Sequence, residues 1–214
     1  MCEPFFALSV TERCNSNADI AFLVDSSGSI SRENYEKVKT FVSNLAASFN
    51  ISPGGSRVAV VLYSTGATTA IKFDDFTSAD SFERAVKLLK HERGFTRIDL
   101  ALQRAYYDLF GRRGSSRYEV PKIAFLLTDG KQTEDSQALS LGKMARLIKD
   151  QGVRIVAIGV GKQVETQELM TIATNEKDVI QADTFDDLLE KVQPIAESAC
   201  ESFLGNSPLF ITEK

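Results

Sequence analysis

The sequence predicts an α/β fold: a doubly wound, mostly parallel central sheet with one antiparallel edge strand, flanked by helices. Three observations lead to this prediction. Apolar runs of strand length alternate along the chain with segments of helical period, as in successive β-α-β units. Most of these runs show little polar alternation, which is typical of strands covered on both faces. One run does alternate and follows the preceding strand after a short turn, which is typical of a hairpin at a sheet edge.

The strands are predicted from apolar runs rich in Val, Ile, Leu and Phe. The buried strands span Asp19 to Val24, Arg57 to Tyr63, Lys122 to Leu127 and Val153 to Val160. Thr69 to Phe73 is predicted as the antiparallel edge strand, and Val179 to Ala182 as a weaker strand. Repeated strand–helix alternation implies right-handed crossovers between the parallel strands.

Helices are predicted between the strands. The core-facing stripe of the first helix follows a helical period and consists of Val38, Phe41, Val42, Leu45 and Phe49. Later helices are expected at 78–90, 97–110, 136–151, 165–174 and 185–199. Ser136 is a candidate N-cap for the helix at 136–151, and Thr184 with Asp187 resembles a capping box.

Composition and charge exclude some classes of protein. The chain has 214 residues, of which 43% are hydrophobic and 25% charged, as in a soluble globular domain with short tails. Its longest apolar stretches, Ile20 to Val24 and Ile123 to Leu127, are too short to span a bilayer. The net charge is −4 and no basic run exceeds Arg112-Arg113, which argues against nucleic acid as a partner.

The cysteines lie outside the periodic region. Cys2 and Cys14 precede it and Cys200 follows it, which suggests a Cys14–Cys200 disulfide formed in an oxidising compartment. The alternative is three unrelated reduced thiols. The sequon Asn50-Ile51-Ser52 is a candidate glycosylation site and fits a secreted chain. We therefore expect an N-terminal extension at 1–13, one domain at 14–200 and a linker at 201–214.

Polar residues follow the predicted strands where ligands bind in such folds, beyond the carboxyl ends. Asp25-Ser26-Ser27-Gly28-Ser29 comes directly after the first strand, and Thr128-Asp129-Gly130 directly after the strand that ends at Leu127. A third segment, Gly94-Phe95-Thr96, precedes the helix that starts near Arg97. Together these segments offer carboxylate and hydroxyl oxygens, the donors that Mg²⁺ prefers.

These segments resemble the von Willebrand factor A domains and integrin I domains. Asp25-Ser26-Ser27-Gly28-Ser29 matches their D-x-S-x-S motif, and Thr96 and Asp129 fall where that family places its metal-site threonine and distal aspartate. The resemblance runs from about Cys14 to Cys200. One departure is Ile98, where many relatives carry a second threonine.

The resemblance implies a metal ion-dependent adhesion site. Ser27 and Ser29 would bind the metal directly, Asp25 and Asp129 largely through water, and Thr96 would enter or leave the first shell with conformation. The metal is expected to be Mg²⁺, with Mn²⁺ or Ca²⁺ as alternatives. An exposed Asp or Glu of a protein partner, collagen or another matrix protein being candidates, would complete the shell. The chain would then be an extracellular, non-enzymatic part of a larger multidomain protein, without membrane insertion.

Other interpretations remain open at the level of sequence. Asp25 to Ser29 could be a polar turn that caps the next helix. The same fold could serve as an intracellular assembly subunit. Asp25 could also be a phosphoacceptor of a phosphoryl-transfer enzyme, although Ser27 stands where the phosphatase pattern has a second aspartate. His91, the single histidine, is interpreted as a solvated helix end.

Overall fold

The described part of the chain forms one six-stranded sheet. A computed structural model describes residues 14–204. The strands are β1 (Asp19–Asp25), β2 (Arg57–Tyr63), β3 (Ala67–Ile71), β4 (Lys122–Thr128), β5 (Val153–Val160) and β6 (Val179–Ala182). They are ordered β3-β2-β1-β4-β5-β6, and every neighbouring pair is parallel except β2 with β3. The predicted doubly wound sheet with one antiparallel edge strand is confirmed.

The centre of the sheet is β1. All its residues are buried, and it pairs with β2 on one side and β4 on the other. The strand order runs outward from β1 towards β3 and from β4 towards β6, so the winding direction reverses between β1 and β4. The loops after these two strands therefore leave the same edge of the sheet side by side, which is where such folds bind ligands.

Helices cover both faces of the sheet. They are α1 (Arg32–Ala47), α2 (Ala79–Lys87), α3 (Ile98–Ala105), α4 (Leu141–Lys149), α5 (Thr166–Ile172), α6 (Phe185–Glu190) and α7 (Val192–Leu204). Ile20, Phe22 and Val24 of β1 face a core shared with α1, α2, α6 and α7. Ala21 and Leu23 face a second core shared with α3, α4 and α5. The predicted stripe of α1, with Phe49 just beyond it, is buried.

The edge strand and the helix at 97–110 differ from prediction in detail. The edge strand β3 lies two residues earlier than Thr69 to Phe73, and its pairing is interrupted by an irregularity between Val60 and Val61 of β2. The helix at 97–110 is α3 followed by a π-helical turn, Tyr106–Phe110. A π-helical turn keeps the chain on the same axis, so the predicted span holds although its hydrogen-bond pattern changes.

Ser136 is not a helix cap. The helix after β4 begins at Leu141, and its N-cap is Ser140, whose side chain accepts from the N–H of Lys143. The residues before Ser140 use their backbone N–H groups in other hydrogen bonds: Leu139 donates to Asp99, and Gln137 donates to Asp135. A hydrogen bond to Asp99 of α3 and a local turn closed by Asp135 thus delay the helix by five residues relative to the predicted start.

The predicted helix at 185–199 is two helices. The capping box of Thr184 and Asp187 is present at the start of α6, but α6 ends at Glu190. The reason is Pro194, whose ring would clash with the carbonyl of Glu190, four residues earlier, in a continuous helix. The second helix, α7, continues to Leu204, so the first four residues of the predicted linker, 201–204, are helical.

The ends of the domain are joined. Cys14 and Cys200 form a disulfide, with Cα atoms 5.6 Å apart and 186 positions between them in sequence. The N–H of Cys14 also donates to the carbonyl of Ser48 at the end of α1. Cys2 and the predicted extension at 1–13 lie outside the described residues. Between residues 14 and 204, none of the helices has the length and apolarity needed to cross a bilayer.

Candidate metal centre

The loop after β1 is fixed by its neighbours on both sides. The N–H of Ser26 donates to the carbonyl of Tyr63 at 2.7 Å, which continues the β1–β2 pairing past the strand end. The N–H of Gly28 donates to the carbonyl of Gly94 at 2.9 Å, and a Cβ on Gly28 would lie 3.4 Å from that oxygen. The N–H of Gly28 thus fixes the D-x-S-x-S loop to the loop that carries Thr96.

Asp25 lies at the floor of the site. Its side chain is fully buried, with Oδ1 accepting from the N–H of Ser27 at 2.8 Å and Oδ2 from the hydroxyl of Thr128 at 2.9 Å. Burial, and to a smaller extent the negative charge of Asp129, raises the pKa of Asp25 to about 6. A buried carboxylate with a raised pKa is stabilised by any cation bound nearby.

Three side chains form a continuous hydrogen-bonded series above Asp25. Ser27 Oγ lies 2.9 Å from Ser29 Oγ, and Ser29 Oγ donates to Asp129 Oδ1 at 2.6 Å. Burial also raises the pKa of Asp129. The structure therefore links three of the predicted ligands, Ser27, Ser29 and Asp129, through their side chains, and connects Asp25 to them through the N–H of Ser27.

Thr96, the fifth predicted ligand, lies beside the Asp129 loop. A Cβ on Gly130 would be 3.8 Å from Thr96 Oγ1, so this hydroxyl is next to the residue that follows Asp129. Its backbone is held from both sides by Thr133: the N–H of Thr96 donates to Thr133 Oγ1 at 3.1 Å, and the N–H of Thr133 to the carbonyl of Thr96 at 2.8 Å. Ile98 is buried in the core and does not reach the site.

A buried ion pair that sequence reasoning missed supports the Thr96 loop. Arg97 binds Asp99 through two parallel hydrogen bonds of 2.9 Å, and both side chains are almost inaccessible to solvent. Asp99 also accepts from Gln132 Nε2 at 2.8 Å and from the N–H of Leu139. Burial acts to raise the pKa of Asp99, but the hydrogen bonds from Arg97 and Leu139 outweigh it and lower the pKa overall. The network ties the Thr96 loop to the segment after Asp129.

His91 is not a solvated helix end. It lies outside α2, its ring stacks on Tyr35 of α1, and its Nε2 is 2.9 Å from the carbonyl oxygen of Ser27. Nothing in the local sequence identifies this contact, because it depends on how the segment after α2 folds over the D-x-S-x-S loop.

The donor set fits a hard divalent cation. Two carboxylates and three hydroxyls lie on three adjoining loops, all of them oxygen donors of the kind that Mg²⁺ and Ca²⁺ prefer. Among residues 14–204, no three His, Cys, Asp or Glu side chains cluster as a metal site, so any site here depends on the hydroxyls as well. Beside Ser29 and Asp129 opens a groove of about 420 Å³, bounded further by Asn34, Lys162, Asp183 and Phe185.

The geometry gives no support to a phosphoacceptor role for Asp25. A nucleophilic carboxylate needs a free oxygen that the phosphoryl group can reach. Both oxygens of Asp25 accept hydrogen bonds, and the side chain is fully buried behind Ser27.

The chain is similar to known proteins over most of the residues that the structure describes. The family profile of the von Willebrand factor type A domain matches residues 19–194. Matrilin-2 of Mus musculus is 32% identical over 197 residues, which cover 89% of this chain. The collagen alpha-1(XXI) chain of Xenopus laevis is 36% identical over 155 residues, which cover 72% of this chain.

A solved structure, that of proximal thread matrix protein 1 from the mussel byssus, superposes with a TM-score of 0.80 at 32% identity. The match covers 88% of this chain and 47% of the mussel chain. A further structure of the mussel protein, with a zinc-occupied MIDAS motif, has a TM-score of 0.79. This chain spans only 20% of matrilin-2 and 15% of the collagen chain, so it corresponds to one part of each.

Proposed function

Because the chain belongs to the von Willebrand factor type A domain family, we propose that it is a metal-dependent adhesion module. A metal ion held by Asp25, Ser27, Ser29, Thr96 and Asp129 would bind an Asp or Glu side chain of a partner protein. The observation that carries this proposal is the series Ser27–Ser29–Asp129 above the buried Asp25, since it converges oxygen donors from the two central strands.

The proposed metal is Mg²⁺, with Mn²⁺ and Ca²⁺ as alternatives. Hydroxyl and carboxylate oxygens suit these ions, whereas structural zinc sites use mostly Cys and His. The zinc in the MIDAS motif of the mussel protein makes Zn²⁺ a competitor that has to be tested. The sole histidine does not favour zinc, because His91 Nε2 is directed at the carbonyl of Ser27.

The partner would complete the coordination shell. Neutral hydroxyls do not neutralise a divalent cation, so an ion held largely by serine and threonine keeps an affinity for an additional carboxylate. The groove beside Ser29 and Asp129 gives room for the residues that flank such a carboxylate. Binding of this kind needs no reaction, and we propose no enzymatic activity.

We place the protein outside the cell, as part of a multidomain matrix or cell-surface protein. The relatives include a matrilin, a collagen chain and a matrix protein of the mussel byssus. The Cys14–Cys200 disulfide suits an oxidising compartment, and Asn50 of the sequon is exposed, as glycosylation requires. Collagen and other matrix proteins are the candidate partners, and no contact with nucleic acid or insertion into a membrane is proposed.

The proposal is tested with the metal and with matrix ligands in parallel. We expect Mg²⁺ to bind in calorimetry, and the chain to bind immobilised collagen or a matrix extract with Mg²⁺ but not with chelator. Asp129→Ala should abolish both. Asp183→Ala is the matched control, because Asp183 is exposed in the same groove but lies outside the hydroxyl–carboxylate series. Metal-independent binding, or equal losses in the two variants, would refute the proposal.

The intracellular alternative predicts a different thiol content. Titration of the denatured, unreduced protein should find the thiols of Cys14 and Cys200 blocked if the chain is secreted. Finding them free in protein purified from its native source would favour an intracellular assembly subunit.

A further inference from the structure

We propose that His91 is a positioning residue for the metal-binding loop, acting through the backbone of Ser27. Its imidazole would hold the Ser27 carbonyl so that the hydroxyls of Ser27 and Ser29 face the metal. This inference rests on the proposed metal site, and it assigns a role there to a residue outside the D-x-S-x-S, threonine and aspartate motifs.

The side chain of His91 makes one polar contact and one stacking contact. Nε2 lies 2.9 Å from the carbonyl oxygen of Ser27. A carbonyl oxygen can only accept, so Nε2 carries the proton and donates. The ring stacks on Tyr35 with centroids 4.5 Å apart and planes inclined by 13°. Since Tyr35 is buried in α1, the imidazole is held in place between the helix and the loop.

The backbone around His91 wraps the same loop. The N–H of Arg93 donates to the carbonyl of Ser26 at 2.7 Å, and the N–H of Glu92 to Ser26 Oγ at 2.8 Å. The carbonyl of Lys90 accepts from the hydroxyls of Tyr35 and Ser26. The main chain of residues 90–93 thus binds Ser26, and the side chain of His91 adds a hydrogen bond to the next residue of the loop, Ser27.

The other ring nitrogen shows that the imidazole is not there simply to fill space. Nδ1 is buried and has no hydrogen-bond partner among residues 14–204. Buried polar atoms without a partner are unfavourable and uncommon. A phenylalanine could stack on Tyr35 without burying such an atom, so stacking alone does not account for a histidine. The hydrogen bond from Nε2 to Ser27 is the one feature that phenylalanine cannot provide.

Two substitutions separate the two contacts. His91→Phe keeps an aromatic ring on Tyr35 but has no donor for Ser27, whereas His91→Gln keeps an N–H donor of similar reach and loses the ring. The probe is Mg²⁺ alone, titrated by calorimetry. Thermal unfolding and amide hydrogen exchange of residues 25–31 are measured with chelator, so that they report on the loop without the metal.

We expect His91→Phe to weaken Mg²⁺ binding by about tenfold or more, as is usual when a residue that orients a ligand is lost. Its melting temperature in chelator should stay near that of the wild type, and the N–H groups of Ser27 and Gly28 should exchange faster. His91→Gln should restore most of the Mg²⁺ affinity. This rescue distinguishes positioning from a general loss of packing.

Unchanged Mg²⁺ affinity and unchanged exchange in a folded His91→Phe protein would overturn the inference and leave the proposed function intact. Equal weakening in His91→Phe and His91→Gln would also overturn it, because the donor would then be irrelevant. Failure of the wild type to bind any of Mg²⁺, Mn²⁺ and Ca²⁺ would instead refute the proposed function. The exchange measurement in chelator does not depend on metal binding and would still report whether His91 holds the loop.

Discussion

The hydroxyl of Ser29 donates a 2.6 Å hydrogen bond to Oδ1 of Asp129, a residue one hundred positions further along the chain. The two residues follow β1 and β4, the strands between which the sheet reverses its winding. Their contact therefore connects the two halves of the doubly wound sheet. It also places a hydroxyl and a carboxylate close enough to bind the same metal ion. Both lie at the edge of the sheet where the polar loops of the two halves meet.

Replacing Ser29 by alanine should remove metal binding with little effect on the fold. The hydroxyl lies at the site, so we expect at least a tenfold loss of Mg²⁺ affinity and a smaller rise in melting temperature on adding Mg²⁺. Ser31→Ala is the matched control. Ser31 caps α1 by accepting from the N–H of Asn34, so its loss should cost about 1 kcal/mol of stability but leave Mg²⁺ affinity intact. Equal affinity losses in the two variants would contradict the assignment.

Asp25→Asn should stabilise the metal-free protein. The pKa of Asp25 is raised from 3.8 to about 6. The folded state therefore binds the proton more tightly than the unfolded state, and stability in chelator should fall as the pH rises from about 4 to about 6. The loss amounts to about 3 kcal/mol at 1.36 kcal/mol per pH unit. Asparagine should avoid this loss of stability because it carries no charge. The hydroxyl of Thr128, which donates to Asp25 in the wild type, can donate instead to the carbonyl of Gly130, also 2.9 Å away.

Urea unfolding in chelator at pH 4 and pH 7.5 measures this effect. The wild type should lose stability at the higher pH, and Asp25→Asn should lose less, the remaining loss coming from groups such as Asp129, whose pKa burial also raises. With Mg²⁺ the order should reverse, since only the wild type would gain stability from the metal. A variant that is less stable than the wild type in chelator at pH 7.5 would contradict the prediction.

Asp99→Asn should destabilise the fold and weaken metal binding together. Removing one partner of a buried ion pair typically costs about 3–5 kcal/mol, and here Arg97 would keep only its ion pair with Asp135. Asp135→Asn is the control, because Asp135 also binds Arg97 but its side chain is 46% exposed. We expect the control to lose less than about 1 kcal/mol, as surface pairs do. The two variants are compared by urea unfolding, and Mg²⁺ affinity is measured in both.

The ion pair also predicts behaviour in acid. The pKa of Asp99 is lowered in the folded state, so its contribution to stability is present above its ordinary pKa of about 4 and is lost as the pH falls through its lower folded value. Stability lost below pH 4 should therefore be smaller in Asp99→Asn than in the wild type. An equal acid response in both proteins would exclude Asp99 as its source.

Loss of the disulfide should lower stability without altering the metal site. Cys14 and Cys200 close a loop of 186 positions at the amino-terminal end of β1, opposite the metal edge. A double Cys14→Ser, Cys200→Ser variant should lose about 2–5 kcal/mol of unfolding free energy. Its Mg²⁺ affinity at a temperature where it remains folded should equal that of the wild type. A marked loss of affinity would mean that the termini and the metal edge are coupled.

The sequence predicts the sheet well because strand assignment depends on local patterns. Apolar runs such as Arg57 to Tyr63 are visible in the chain, and their parallel pairing follows from the helices between them. The motif residues also share one edge as predicted, since Asp25 and Asp129 both follow central strands.

What the sequence could not predict depends on contacts between distant segments. Ser136 looks like a helix cap, but the N–H groups of Gln137 and Leu139 donate to Asp135 and Asp99. The helix therefore begins only after Ser140. His91 looks like a surface residue, and only the fold brings it onto Ser27. The break between α6 and α7 was visible in principle, since Pro194 stands four residues after Glu190.

The disulfide also determines how the domain would respond to a pulling force. Because Cys14 and Cys200 have Cα atoms 5.6 Å apart, tension applied to the chain outside this pair is carried by the covalent bridge and bypasses the sheet. The metal edge would keep its shape under load. Reduction would expose the sheet to the load and release 186 positions, roughly 610–670 Å of extended chain. Such a domain would not lengthen under tension while the disulfide is intact, and it could unfold and extend once the disulfide is reduced.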